Sequence, residues 1–241
     1  MRDATPDNVK ILPVKALNEN GSGTYSILMA AVCYAMEQGA DVVSMSFGHT
    51  IGYANQMDNE SDQLLHDDVR QAAQTYDAVL VAAAGNDGTN CDGLIYPASM
   101  QEVIAVSSVN QFGRLSSFSS YGNYIEIAAP GESIVSSVTG GGYEAYSGTS
   151  MAAPLVATCA ALLRTENPAL TAEQTRQLLH EHVRDCVVPG RDAFFGYGIV
   201  SMCPTLTGLT SISFPAKEIK MNIHSIQGAA ASDAAVPCGI V

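Results

Sequence analysis

Ser150 is the residue of this chain best placed to do chemistry. It stands in Ser147-Gly-Thr-Ser-Met-Ala-Ala-Pro-Leu-Val156, where a turn-forming stretch meets a long apolar helix. Ala152, Ala153, Val156, Ala157, Ala160, Ala161, Leu162 and Leu163 continue at helical spacing. A hydroxyl at a helix start has two uses. It can cap the orphan backbone N–H groups. It can also be a nucleophile, with those N–H groups and the helix dipole favouring developing negative charge. The Gly-x-Ser-x-Gly elbow of α/β-hydrolases is excluded, because Ala152 occupies the second glycine position.

Acyl transfer needs a nucleophile, a base, and donors for the tetrahedral oxyanion. Beyond Ser150, the best donor candidate is Asn86. It follows the apolar run Val79-Leu-Val-Ala-Ala-Ala-Gly85 and begins the turn word Asn86-Asp-Gly88. Ligands of open α/β sheets bind at the carboxyl ends of such strands. Taken alone, Asn86 reads as a turn residue, since Asn tolerates left-handed geometry. Taken with Ser150, it reads as a donor.

The elements that must position these two residues are legible as alternating strands and helices. Strands are predicted at Ile11–Leu17, Asp41–Ser46, Ala78–Ala84 and Val103–Val106. A helix is predicted at about Thr24–Gln38, with Ile27, Leu28, Ala31, Val32 and Ala35 on one side and Gly39 ending it. A second follows at about Gln63–Thr75, after a polar stretch from Gly48 to Asp62. Ile125–Tyr146 reads as shorter strands with glycine-rich turns. Helices follow at about Ser150–Thr165 and Ala172–His182, the latter capped by Thr171. Apolar rather than alternating strands indicate a parallel sheet covered on both faces. From Pro204 the composition shifts, so residues 204–241 are expected to be an extension or the start of a second domain.

Gly148-Thr-Ser-Met-Ala-Ala-Pro154 resembles the nucleophile motif of the subtilisin-like serine proteases. Ala83-Ala84-Gly85-Asn86 resembles the oxyanion-hole segment of that family. The resemblance implies that Ser46-Phe47-Gly48 and Ala83-Ala84-Gly85 form the two walls of the primary specificity pocket. It implies that Gly21-Ser22-Gly23 pairs with substrate backbone as an added strand. Tyr96-Pro-Ala-Ser, Phe118-Ser-Ser-Tyr-Gly, Ala128-Ala-Pro-Gly and Gly196-Tyr-Gly-Ile-Val are further words in the family's order. The likeness covers about Asn8–Cys203, so residues 1–203 are read as a partial peptidase domain. The implied fold is α/β, three-layer αβα with a mostly parallel sheet, lacking the family's N-terminal strands and helix. The implied reaction is endopeptidase acyl transfer through Ser150 with Asn86 as donor, on a polypeptide substrate.

The departures are equally specific. The family uses Asp, His and Ser in chain order, and neither the Asp motif nor a His-Gly-Thr word precedes Ser150. His49 follows the pocket-wall strand, but Gly48-His-Thr-Ile-Gly does not match the family's base. His66, His180 and His182 lie in or near helices, and His224 lies in the C-terminal stretch. The chain is therefore expected to be the later part of a protease domain, inactive alone, with Asp and His supplied by a preceding segment. Asp87, beside Asn86, is either a pocket-rim acid favouring basic side chains or a solvated turn acid. The alternatives are a non-catalytic peptide-binding module of the same fold and, more remotely, a nucleotide-binding α/β domain. The latter rests on Gly21-Ser-Gly-Thr-Tyr-Ser26 before a helix and on Asp41 beyond it. Against it, Ser26 replaces the third glycine and Asp41 stands at the wrong end of its strand.

The bulk numbers fit a folded domain. The 241 residues are 47% hydrophobic and 15% charged, enough apolar content for one substantial core and too little charge for disorder. A net charge of -13 argues against a nucleic-acid surface. The apolar run Ile27–Met36 is too short to span a bilayer, and Met1–Asn8 carries no export signal. An extracellular location is expected for the full-length family member. No Cys-x-x-Cys pair is present, so no metal site is assigned. Structural calcium is common in the family, but its main loop would lie upstream, and the chemistry needs no cofactor. Cys33 and Cys159 read as core residues, while Cys91, Cys186, Cys203 and Cys238 leave pairing open.

Overall fold

The computed structural model describes residues 9–50, 60–91, 95–138, 140–187 and 189–201. In chain order the elements are α1 (Tyr25–Glu37), β1 (Val42–Met45), β2 (His49–Thr50), α2 (Glu60–Tyr76), β3 (Val79–Ala83), β4 (Ile95–Tyr96) and β5 (Val103–Val109). There follow β6 (Ile125–Pro130), β7 (Ile134–Ser137), β8 (Tyr143–Tyr146), α3 (Thr149–Glu166), α4 (Ala172–Glu181), β9 (Val183–Arg184) and β10 (Ile199–Val200). Six strands form one sheet in the order β1-β3-β5-β6-β10-β9, parallel except for β9. β2 with β4, and β7 with β8, form two small antiparallel ribbons.

Strand alternation divides the core. Val43, Met45, Leu80, Ala82, Val103 and Ala105 point to one face, where they meet Leu28, Val32 and Met36 of α1 and Val69 of α2. Val79, Val81, Ala83, Ile104, Val106 and Ile127 point to the other, against Ala152, Val156 and Ala160 of α3 and Leu179 of α4. Both faces of the sheet are thus covered by helices, which is why its strands are apolar on both sides.

Local signals explain the helix ends. Thr24 caps α1 through a hydrogen bond from Ile27 N–H. Gly39 follows its end at φ +85°, a left-handed stop. Thr171 and Gln174 form a reciprocal capping box at α4. Asp77 joins three elements: its carboxylate accepts Ala172 N–H at the start of α4 and the Arg164 guanidinium of α3, both at 2.9 Å.

Several predicted features differ from the structure. Ile11–Leu17 forms no ladder, because β1 ends the sheet and no described strand lies beside that segment. On α1 the buried face carries Met29 and Met36, whereas Ile27 is exposed. The helix turns its stripe toward α2 and β1 rather than centring it on Ile27. β5 runs three residues past its predicted end, paired along its length with β6. The expectation for residues 204–241 lies outside the described residues.

At the amino ends of the strands, Glu126 of β6 is buried and joined to α4. Its carboxylate accepts hydrogen bonds from Arg176 Nε at 2.9 Å and His180 Nε2 at 3.0 Å, and it is bridged by Arg176 Nη2 as well. Burial alone would raise this carboxyl; the hydrogen bonds from His180 and Arg176 and the guanidinium charge outweigh it and hold it below its ordinary value. The stabilisation is present above the unfolded pKa and is lost as pH falls through the folded one. Thermal midpoints are therefore expected to decline as pH drops below about 4.5, the ordinary value. Glu126→Gln should flatten that decline and cost about 3 kcal/mol at neutral pH, by leaving Arg176 half-paired. Calorimetric melts of both forms from pH 3 to 7 check this; an unchanged slope would count against it.

Candidate active site

The site forms where the carboxyl ends of β1 and β3 meet the amino end of α3. After β3, the chain turns at Gly85, whose φ is +105°. A Cβ there would lie 3.0 Å from Ser120 Oγ and 3.2 Å from Ile95 Cδ1, so conformation and space both require glycine. The turn delivers Asn86 to α3. Thr149 N–H donates to Asn86 Oδ1 at 2.9 Å, and the Thr149 hydroxyl lies 3.1 Å from the same oxygen. That hydroxyl also accepts Gly85 N–H at 3.2 Å. With Oδ1 so engaged, the Nδ2 amide is the end of Asn86 left to donate.

Ser150 is not the cap. The cap position is Gly148, and Ser150 is the second helical residue. Asn86 performs the capping from across the site, by accepting the Thr149 N–H. Gly148 is fixed in turn by its N–H to Gly131 O at 2.8 Å. Gly131 permits that approach, since a Cβ on it would stand 2.3 Å from Ser108 Oγ and 2.7 Å from Gly148 O. A Cβ on Gly148 would be 3.6 Å from Asn86 Nδ2 and 3.7 Å from Ser150 N. The two nitrogens therefore border one small volume that glycine leaves open, with Asn86 Oδ1, already engaged by Thr149, 3.7 Å from the same point.

Ser150 and Ser46 clasp each other. Ser150 Oγ donates to Ser46 O at 3.2 Å, and Ser46 Oγ donates to Ser150 O at 2.9 Å. Both residues are buried. The second bond has a cause four residues on. Pro154 lies inside α3 and has no N–H, so Ser150 O lacks its helical donor. The Ser46 hydroxyl takes that place. A hydroxyl residue at the strand end and a proline four residues after Ser150 are the sequence signal of this contact, which motif reading alone does not extract.

Residues 46–48 and 83–85, the walls expected from the resemblance, lie at the carboxyl ends of the paired strands β1 and β3. Ala83 and Ala84 are buried on opposite faces of the sheet, and Ala84 O accepts Tyr124 Oη at 2.8 Å. Phe47 is buried in the core cluster on the α1–α2 side of the sheet. Asp87 is exposed; its N–H donates to Ser120 Oγ at 3.0 Å, and its carboxylate is turned toward that hydroxyl and Cys91. Gly21–Gly23 is closed into a turn, with Gly21 N–H on Asn18 O and Ser22 O accepting Asn18 N–H. The hydrogen bonds of that turn are made within it, to the backbone and side chain of Asn18. Asp41 pairs with Arg164 at the amino end of β1, remote from the glycine turn that the dinucleotide reading would need beside it.

The described histidines are engaged elsewhere. His66 bonds Tyr25 Oη and stacks on Tyr96. His180 bonds Glu126, and His182 Nδ1 donates to Leu178 O. His49 lies in the β2–β4 ribbon opposite Tyr96. His224 lies outside the described residues. Cys159 is packed against the sheet, and burial pushes its thiol up to about 12, so it is no competing nucleophile. Among the described residues, no group of three or more His, Cys, Asp and Glu side chains is placed to hold a metal ion. Nor, among them, is any helix long and apolar enough to cross a membrane. A cavity of about 220 Å³ beside Asp77, Glu102 and Arg176 lies at the amino ends of the strands, opposite the site.

These elements define an α/β protein with a serine-centred site at the carboxyl ends of a parallel sheet. The subtilase family model, Peptidase S8, matches residues 6–198, and the chain belongs to that family of subtilisin-like serine endopeptidases. The minor extracellular protease Epr of Bacillus subtilis (strain 168) is 37% identical over 198 residues, which cover 82% of this chain and 29% of Epr. The thermophilic serine proteinase of Bacillus sp. (strain AK1) is 38% identical over 203 residues, 83% of this chain and 46% of that protein. The chain thus spans less than half the length of these curated relatives. Among solved structures, a lanthipeptide protease superposes with a TM-score of 0.70 at 26% identity, covering 80% of this chain and 68% of that one.

The clasp yields a prediction. Ser46→Ala leaves Ser150 O buried without a donor and should cost about 1–3 kcal/mol. In a Pro154→Ala background, the restored N–H serves that carbonyl and the same substitution should cost less. Urea unfolding of the four proteins of this cycle measures the difference; equal costs in both backgrounds would refute the assignment.

Proposed function

We propose that Ser150 is the nucleophile of a subtilisin-like endopeptidase site, with Asn86 Nδ2 and Ser150 N–H as its oxyanion donors. The observation that carries this reading is the convergence of those two donors on the volume beside Gly148. In the reaction, a base removes the Ser150 Oγ proton as the oxygen bonds to the peptide carbonyl carbon. The carbonyl oxygen takes the negative charge and moves into the volume between the donors. The tetrahedral species collapses to an acyl-enzyme as the amine leaves with the base's proton, and water then releases the acid. The base and the carboxylate that orients it come from chain outside residues 9–201. Residues 46–48 and 83–85 form the walls that hold the substrate. No cofactor enters the chemistry. The substrate is a polypeptide, and the full-length protein works outside the cell, as the name of Epr says of that relative.

A second reading, a peptide-binding module without catalysis, is favoured by one observation. Ser150 Oγ is bound to a carbonyl and buried to 2% exposure. Labelling separates the two. Residues 1–241 alone should react negligibly with a small fluorophosphonate, since removing the base from subtilisin itself costs about 10⁶ in turnover. Joined to the preceding segment of the thermophilic serine proteinase, the chain should be labelled at Ser150, and Ser150→Ala should abolish the label. A folded joined protein that stays unlabelled would leave the binding reading.

Gly148 provides a finer test. Gly148→Ala adds a methyl at ordinary contact distance, so stability should change by no more than about 1 kcal/mol. The methyl would occupy the anion's place, and peptide hydrolysis by the joined protein should fall by about 10²-fold, the loss typical of one oxyanion donor. Undiminished hydrolysis would move the anion site away from Asn86.

A further inference from the structure

We infer that Ile95 makes the primary side-chain pocket of this protein a shallow one, fitted to glycine, alanine or serine. The inference rests on the reading of the site as a peptide cleft walled by residues 46–48 and 83–85. A Cβ at Gly48, on the first wall, would lie 3.3 Å from Ile95 Cγ2. A Cβ at Gly85, on the second, would lie 3.2 Å from Ile95 Cδ1. Two branches of one side chain therefore reach both walls, and the space between them is filled with hydrocarbon. Gly48 and Gly85 are half-buried above it, while Ile95 is only 2% exposed.

Ile95 has little freedom to move aside. Its backbone pairs with Thr50 in the β2–β4 ribbon. Its side chain packs in the same core cluster as Phe47 and Ala84. It is β-branched, so χ1 is restricted. Close packing of this kind does not yield a ring-sized space without loss of other contacts. A large aromatic or long basic side chain entering between the walls would meet Ile95 first. The exposed Asp87 carboxylate stands at the rim, on the Ser120 and Cys91 side, and leaves the filled space at Ile95 unchanged. Sequence spacing gave no sign of this, because β4 is two residues long and predicted by no pattern.

The test uses peptide amides of one sequence that differ only at the residue whose carbonyl would meet Asn86. Binding to residues 1–241 is measured by titration calorimetry, for alanine and phenylalanine at that position. The alanine peptide should bind at least about tenfold more tightly. Ile95→Gly should erase or reverse that preference, chiefly by strengthening the phenylalanine peptide. Equal or tighter binding of the phenylalanine peptide by the unaltered chain overturns the inference. So does an unchanged preference in a folded Ile95→Gly protein. The unaltered chain decides the matter even where the variant does not fold. Failure of every peptide to bind also overturns it; labelling of Ser150 by the small fluorophosphonate in the protein joined to the preceding segment then shows whether the wider reading stands without it.

Discussion

The site depends on the paired hydrogen bonds between Ser46 and Ser150. They join the carboxyl end of β1 to the first turn of α3, two elements more than a hundred residues apart in sequence. Without them, α3 would still lie on the sheet through Ala152, Val156 and Ala160, since apolar packing is not directional. What the two bonds add is register: they set which residue of the helix faces the strand end. Pro154 makes the arrangement one-sided, because it removes the helix's own claim on Ser150 O and leaves that carbonyl for Ser46. A helix interior proline is usually a cost of about 3 kcal/mol. Here part of that cost is offset by a contact that fixes the candidate nucleophile.

The two ends of the parallel sheet are built from different interactions. At the carboxyl ends, the polar groups that join β1 and β3 to α3 are hydroxyls, amides and carbonyls, the turns carry glycine, and the Asp87 carboxylate stands at the rim, turned toward Ser120. At the amino ends, the polar groups are ions: Glu126 with Arg176 and His180, and Asp77 with Arg164. Ion pairs hold α3 and α4 against the sheet where no chemistry is proposed. Neutral hydrogen bonds hold the proposed active end, where a fixed charge would compete with the developing oxyanion. Acid should therefore weaken the amino-end anchorage through Glu126 while leaving the hydroxyl contacts of the other end intact.

How much of this was legible in the sequence varied with the kind of interaction. Strands such as Val79–Ala83 were legible because both faces are buried and the composition says so directly. The helices were legible from periodicity and end signals, Gly39 and Thr171 above all. Ile11–Leu17 was misread as a strand because its apolar pattern lacks only a neighbour, and a neighbour cannot be read from the segment itself. Ile27 was misplaced because helical periodicity gives a stripe, not its centre; the partners α2 and β1 choose that. Ser150 and Asn86 stood out as candidates from their motifs, and the structure places them side by side at Thr149. Their joint geometry was not, because it runs through Thr149, Gly148 and Gly131, small residues that individually signal only a turn.

The three glycines around the site show why that geometry escapes pattern reading. Gly85 answers to a positive φ, and Gly131 to the approach of another backbone. Gly148 answers to neither: its φ of 162° is open to any residue, and a Cβ would clash with nothing. Stability alone therefore gives no strong reason for glycine at Gly148. The reason that remains is the volume between Asn86 Nδ2 and Ser150 N–H, which a methyl would fill. On the proposed reading, a position that tolerates a side chain sterically, yet has none beside two backbone and amide nitrogens, is accounted for by what enters from outside. On the inference drawn for Ile95 the same logic runs the other way: there the cleft is filled from within, and what enters is small.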